Sequence, residues 1–325
     1  MQDVGMKRPV VTLVTPVFNE AGNIARYAQT VREELLDRSD IEYRVLFVDD
    51  GSQDRSWDMI LELCRTDPRF QAIRLSRNFG PHVALSAGLH QAEGDAVAVL
   101  ACDLQDPPEV IRGFVEKWQA GARIVWGKRQ SRADSAFRVI SSQFFEGLLR
   151  RYAMPARSLF ATGSFLLMDR RVLDCYRQFQ ERNRTTFALV AWTGFEQGVV
   201  EYHRKARLAG ESSWKLHKLI RAAYDTLLAF SRVPFGLVTV LGLLLFGGSL
   251  LFGLYLIGCY ASGNPQPGWT SIMLTLTLCF GVHFIFSSVQ GEYLSRIYCE
   301  AVQRPLYFIS DSTRETRPEV RRDAA

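Results

Sequence analysis

No two cysteines of the chain stand at C-x-x-C spacing. The six present, at 64, 102, 175, 259, 279 and 299, are scattered, and no histidine accompanies them at metal-ligand spacing. That pattern argues against a zinc site and a disulfide framework, and it fits a reducing compartment. The opening MQDVGMKRP lacks the apolar stretch of a signal peptide, so the domain that follows is expected to stay in the cytosol. Net charge is only +5, which suits a nucleic acid, an anionic membrane or a phosphorylated substrate and selects none of them. Charge is missing altogether from 233–257, from 259–268 and from 269–290.

What is present is a chain of 325 residues, 47% of them hydrophobic, long enough for one large domain with an appendage. Its first two hundred residues alternate short β-branched runs with longer amphipathic stretches. Strands are expected at 10–18, 43–50, 70–76, 95–103 and 123–129, with helices near 22–37, 54–66, 82–92 and 108–120. Strand and helix in strict alternation imply right-handed crossovers and a mostly parallel sheet buried on both faces. Ligands then belong at the carboxyl ends of the strands. A further helix is expected at 135–151, with Phe137, Ile140, Phe144 and Leu148 on one face, and then a strand and turn in RSLFATGSFLLMDRR.

Composition changes abruptly at Val233. About 20 apolar residues are what a bilayer core requires, and 233–257 and 269–290 each reach that length without a charge, the second broken only by neutral His283. The pair reads as a transmembrane hairpin over 233–290. Basic residues Arg204, Lys205, Arg207, Lys215, Lys218, Arg221 and Arg232 precede it, and Arg296 and Arg304 follow, so both termini are expected on the cytoplasmic side. Between them, Leu216, Leu219, Ile220, Ala223, Leu227 and Phe230 share one helical face opposite Lys215, Lys218, Arg221 and Asp225, the pattern of a juxtamembrane helix lying in the interface. An amphipathic helix packed on the preceding domain gives the same pattern. Four parts result: a catalytic domain over 1–210, the interfacial helix over 211–232, the hairpin over 233–290 and a cytoplasmic tail over 291–325. Gly242, Gly247, Gly248 and Gly253 in the first span would let helices of a homo-oligomer approach closely.

Chemistry gathers where strands end. TPVFNE (15–20) and VDDGSQD (48–54) place carboxylates there, able to accept hydrogen bonds from a ribose or a base, with Gly51 and Ser52 opening a turn into a helix. An ordinary capped turn has the same residues. ACDLQDPPE (101–109) sets Asp103, Gln105 and Asp106 at the same edge. A carboxylate and an amide oxygen are hard ligands suited to Mg²⁺ or Mn²⁺, an ion that keeps waters and bridges substrate phosphates. Asp106, ahead of Pro107 and Pro108, reads better as a helix cap.

Together PVFNE, VDDGSQD, SRNFG (76–80) with Ala84 and Gly88, and DLQDPPE resemble the inverting family 2 glycosyltransferases of the GT-A fold. The resemblance is to their polyprenyl-phosphate branch, which includes dolichyl-phosphate mannose synthases and bactoprenol glucosyltransferases. It continues through LMDRRVLD, ERNRTTFALVAWTGF, RLAGESSWKLHKL, GWTSIM and GEYLSRIYCEAVQRPLYFI, nearly the whole chain in order. The resemblance implies that Pro16, Glu20, Asp49, Asp50 and Asn78 hold the nucleoside of a nucleotide-sugar, and that Asp103 and Gln105 hold the metal on its diphosphate. Arg129, Arg132, Arg204, Arg207, Ser213 and Lys215 would face the phosphate of a polyprenyl lipid, with Asp103, Arg129 and Arg132 at the reaction centre. Donors follow in the order UDP-glucose, other UDP-hexoses, GDP-mannose, by analogy alone.

The chain departs from the family pattern at Ala101, where the usual D-x-D has an acid, and at Ala161 and Ser164. These keep open an alternative, a catalytically silent scaffold of the same fold, against which the intact Asp49, Asp50, Asp103 and Gln105 stand. Q-x-x-R-W, carried by the processive synthases of the family, is absent. That absence fits a single transfer to a lipid phosphate, whose second pKa of about 6 makes it an anionic nucleophile without a base. Nucleic acid is not expected, because the basic residues crowd the membrane boundary and form no groove-reading motif. The family subtype places such a protein in a bacterial inner membrane, catalytic domain inward, making lipid-linked sugar for surface glycans.

Overall fold

The computed structural model describes residues 8–38, 41–130, 165–182, 185–203 and 268–314, with scattered positions between 244 and 262. Eight strands form one mixed sheet: β1 Val10–Val17, β2 Glu42–Asp49, β3 Phe70–Leu75, β4 Ala96–Val99, β5 Ile124–Arg129, β6 Leu166–Asp169, β7 Gln197–Tyr202 and β8 Ile309–Ser312, in the order β7-β5-β6-β4-β1-β2-β3-β8. Strands β4, β1, β2 and β3 run parallel, β6 is antiparallel to both β4 and β5, and β7 is parallel to β5. Strands β1 to β5 and β7 therefore point one way, and their carboxyl ends share an edge. Only β6 and β8 run against them.

Among the described residues six helices accompany the sheet, α1 Ala21–Val31, α2 Ser56–Thr66, α3 Pro81–Gln91, α4 Val110–Gln119, α5 Arg170–Tyr176 and α6 Thr186–Trp192, and a seventh, α7 Trp269–Val302, belongs to a second unit. Ile24, Tyr27, Ala28, Val31 and Leu35 recur at helical spacing and are all buried. They pack with Trp57 and Ile60 of α2 and Ile111, Phe114 and Val115 of α4 on the face made by Val11, Leu13, Val17, Val45 and Phe47. The opposite face takes α3, which lies so close that a side chain at Gly88 would meet Val14 Cγ1 at 2.4 Å. Tyr176 of α5 ties that layer together: its hydroxyl lies 2.6 Å from Ser86 Oγ of α3 and 3.4 Å from Thr186 Oγ1 of α6. The mostly parallel sheet covered on both faces is the architecture the alternating pattern implies.

Boundaries differ from expectation in instructive ways. The helix expected over 22–37 gives way after Val31 to a wider π-type turn, Arg32–Leu36, which keeps Leu35 buried. β4 stops at Val99 rather than 103, freeing 100–109 as a loop. The run after 158 yields β6, inserted antiparallel between β4 and β5.

Two compact units emerge, 1–213 with 305–325, and 214–304. The segment expected as a tail from 291 divides between them: α7 runs on to Val302, and 309–312 returns as edge strand β8 beside β3. Among the described residues no helix is long and apolar enough to cross a membrane, so the structure does not establish the transmembrane hairpin. Its first arm, 233–257, lies mostly outside the described residues, while its second is helical within α7. The expected helices at 135–151 and 214–230 also lie outside the described residues.

Candidate functional site

Three loops meet at the carboxyl edge of β1, β2 and β4. After β1 the chain reverses through Asn19, at φ 55°, and this turn is stitched to the one after β2. Asn19 N donates to Ser52 Oγ at 3.0 Å, Glu20 N to Ser56 Oγ at 2.9 Å, and Gln53 N to Asn19 Oδ1 at 2.9 Å. Ala21 N donates to Asp54 Oδ2 at 3.2 Å. Serine and aspartate side chains thus satisfy the amides that open α1, since no cap of its own does so.

Asp49 and Asp50 are both buried. Asp49 accepts from Ser52 N at 3.2 Å and faces Arg74 Nε at 3.1 Å. Asp50 turns to the loop after β3 and accepts from Phe79 N at 2.8 Å and Gly80 N at 2.9 Å. Burial pushes both carboxyls up from their ordinary value, against the pull of these donors. In this arrangement the pair organises the loops that carry exposed Asn78, whose carbonyl accepts from Arg77 Nη1, and Phe79, over whose ring the Arg77 guanidinium lies at 4.0 Å.

The loop after β4 is bent at Leu104, a non-glycine residue at φ 53°. Asp103 Oδ1 accepts from Gln105 N at 3.2 Å, folding the two expected metal-binding residues onto one turn. Burial pushes up the Cys102 thiol, and the neighbouring Glu20 and Asp103 carboxylates push it the same way; the β1 and β4 loops leave the same ends of two paired parallel strands. Pro16 lies in β1 opposite Val48.

At the far end of the sheet, Arg129 closes β5. Its Nε donates to Tyr202 Oη at 3.3 Å and stands 3.8 Å from Asp106 Oδ1. Tyr202 in turn donates to Asp106 at 2.6 Å, across 96 residues. Asp106 therefore takes a tyrosine hydroxyl, and α4 has no side-chain cap. The strand β7 and its Tyr202 were missed from sequence. Their signal was the β-branched and aromatic run VVEY just ahead of the basic segment.

The structure thus brings Glu20, Asp49, Asp50, Asn78, Asp103 and Gln105 to adjoining loops, with Arg129 at the end of β5, which β6 separates from β4. Arg132, Arg204, Arg207, Ser213 and Lys215 lie outside the described residues. No group of three or more His, Cys, Asp or Glu residues that could hold a metal occurs among the described residues.

Comparison with known proteins gives these loops a context. The chain is 37% identical over 306 residues to the SfII prophage-derived bactoprenol glucosyl transferase of Shigella flexneri, covering 94% of this chain and 98% of that one. Over 306 residues it is also 37% identical to Uncharacterized glycosyltransferase YkcC of Bacillus subtilis, with 93% of each chain covered. Among solved structures, the mannosyltransferase PcManGT of Pyrobaculum calidifontis, in complex with GDP-Man and Mn2+, is 17% identical, with a TM-score of 0.48 over 92% of this chain and 89% of that one. The family model described as glycosyl transferase family 2 matches residues 12–177, the span that carries β1 to β6 and the loops above, and the chain belongs to that family.

Proposed function

We propose that the chain is an inverting glycosyltransferase that moves a hexose, glucose from UDP-glucose first among candidates, onto a polyprenyl phosphate at the cytoplasmic face of a bacterial membrane. The observation that carries this reading is the near full-length similarity to a protein named bactoprenol glucosyl transferase, which extends through the uncharged segments as well as the family 2 domain.

The site residues support it by their chemistry. The loops held by Asp49 and Asp50 present Pro16, Glu20 and Asn78 to the nucleoside. Asp103 and Gln105 share one turn and offer a carboxylate and an amide oxygen, a donor set that fits an Mg²⁺ or Mn²⁺ completed by water and diphosphate oxygens. Such an ion neutralises charge on a departing nucleoside diphosphate. Arg129, with Arg132, Arg204, Arg207, Ser213 and Lys215, holds the acceptor phosphate in line through charge-assisted hydrogen bonds. The phosphate oxygen attacks the anomeric carbon as the bond to the diphosphate breaks. The acceptor is already anionic near neutral pH, so no protein base is required.

Membrane attachment is part of the proposal. Exposed apolar side chains Ile272, Leu276, Leu278, Phe280 and Phe284 follow one another along α7, in a stretch without charge. The chain leaves the catalytic unit before 214 and rejoins it at 305, so a membrane-crossing segment between those points crosses an even number of times.

A panel of labelled nucleotide sugars offered with undecaprenyl phosphate to purified full-length protein tests the reading. A lipid-linked hexose is expected from a UDP-hexose, lost on chelation and in Asp103→Ala. Arg129→Ala is expected to raise the acceptor KM roughly ten- to a hundredfold with donor affinity kept, as loss of one charged contact implies. Absence of product with every donor would overturn it.

A further inference from the structure

We propose that Asp106 and Tyr202 are a positioning pair that aims the Arg129 guanidinium at the anionic acceptor. The inference rests on the polyprenyl-phosphate reading of the site and deepens it.

A phenol has one proton. Tyr202 gives it to Asp106 at 2.6 Å, which leaves its oxygen lone pairs to accept from Arg129 Nε at 3.3 Å. The direction of the relay is thereby fixed, from guanidinium to phenol to carboxylate, and each bond polarises the next. Burial pushes the Tyr202 hydroxyl up to about 12, so it keeps that proton at neutral pH. The relay is buried and braced by its neighbours. Tyr202 is 4% exposed and Asp106 2%, the Tyr202 ring meets Phe165 edge-on at 5.4 Å, and Arg129 lies opposite Tyr202 in the ladder. Gln130 N also donates to the Tyr202 carbonyl at 2.9 Å.

Arg129 itself stays 36% exposed in its side chain. With Nε engaged, its two terminal amino groups have no partner among the described residues. A guanidinium held by Nε presents those two groups as a fork, the geometry that matches two oxygens of a phosphate monoester. Holding the fork beforehand removes side-chain freedom that binding would otherwise have to remove.

Asp106 and Tyr202 touch neither substrate, so the test must separate aiming from mere support. Wild type, Tyr202→Phe, Arg129→Ala and the double variant of the full-length protein are compared for equilibrium affinity toward undecaprenyl phosphate and for transfer from UDP-glucose. Phenylalanine keeps the ring against Phe165 and removes only the relay. Tyr202→Phe is expected to weaken acceptor affinity and raise acceptor KM about three- to tenfold, with kcat and donor affinity within twofold, as loss of one hydrogen bond implies. In the Arg129→Ala background the same change is expected to add nothing. Asp106→Asn, which keeps an acceptor oxygen without its charge, is expected to move KM in the same direction by less. An unchanged acceptor KM in Tyr202→Phe and Asp106→Asn, or an undiminished effect of Tyr202→Phe on top of Arg129→Ala, overturns the pair while leaving the transferase reading intact. A wild type that neither binds undecaprenyl phosphate nor transfers overturns both.

Discussion

A methyl group on Gly51 has nowhere to go. Its Cβ would lie 2.5 Å from the Arg77 carbonyl carbon and 2.8 Å from Asn78 N, and the residue sits at φ 68°, where a side chain is already strained. The collision is with backbone, so one loop must move, and the loop is the one carrying Asn78 and Phe79. Gly51→Ala is expected to cost about 1–3 kcal/mol of stability and to weaken UDP-glucose binding at least tenfold. Calorimetric titration beside a thermal melt measures both, and an unaltered donor affinity would show that the 76–80 loop takes no part in nucleoside binding. The neighbouring aspartates make a related point. Burial raises both of their pKa values, so the charged form of each carboxyl costs the fold stability. What the pair supplies in return is the hold on two loops: Asp49 on Ser52 N, Asp50 on Phe79 N and Gly80 N.

Joints between elements show how much was readable. Asp67, which ends α2, receives Arg69 Nη2 at 2.9 Å and Arg32 Nε at 3.1 Å from the π-type turn, while Arg69 also donates to Asp37 at 2.7 Å. Arg69 before all, then Arg32, draws the Asp67 carboxyl down to about 2. A carboxyl whose pKa is lower folded than unfolded stabilises the fold above its unfolded value, and that support fades as pH falls from about 4 toward 2. Allowing for the partly exposed arginines, Asp67→Asn is expected to cost about 1–2 kcal/mol at pH 7. The gap in apparent Tm between variant and wild type should close as the pH is lowered through that window. A gap that stays constant with pH would assign the loss to packing. None of this joint could be read in advance, because its four residues come from two stretches some thirty positions apart, Arg32 and Asp37 against Asp67 and Arg69. Strands β1 to β5 and helices α1 to α4 were legible, since their apolar spacing is local and their ends carry Gly, Pro, Asp or Ser. The antiparallel insertion of β6, and β8 with its half-polar ISDS, are fixed by pairing across the sheet, for which short runs hold no local signal. Likewise the strand-end acids could be set on one edge of the sheet from their local spacing, yet Asp106 was read as a cap because its partner lies 96 residues away.

For the whole molecule the decisive fact is that the chain comes back. After α7, the carbonyl of Phe308 accepts from Ser76 N at 2.9 Å, Thr313 N donates to Ala72 O at 2.9 Å, and Arg314 bonds Gln71 and the Gln91 carbonyl. Residues 307–314 are thus sewn to the same sheet that begins at Val10, and burial draws the Arg314 guanidinium down from its ordinary value. A segment whose two ends belong to one folded unit cannot leave them on opposite sides of a membrane. In the topology proposed above, the basic residues before 233 and after 290, with none between 259 and 268, would hold that unit on the cytoplasmic side and the connecting loop outside. Single cysteines at Ser262 and Ser310, in a protein whose own six cysteines are replaced, read this directly. Both positions are exposed on the protein itself, so membrane shielding alone should separate them. In intact spheroplasts an impermeant maleimide is expected to label Ser262→Cys at once and Ser310→Cys only after permeabilisation. The inverse pattern would turn the molecule over. Equal labelling of both before permeabilisation would mean that nothing between them crosses, and α7 would then have to lie along a surface with its apolar side chains against lipid or another helix.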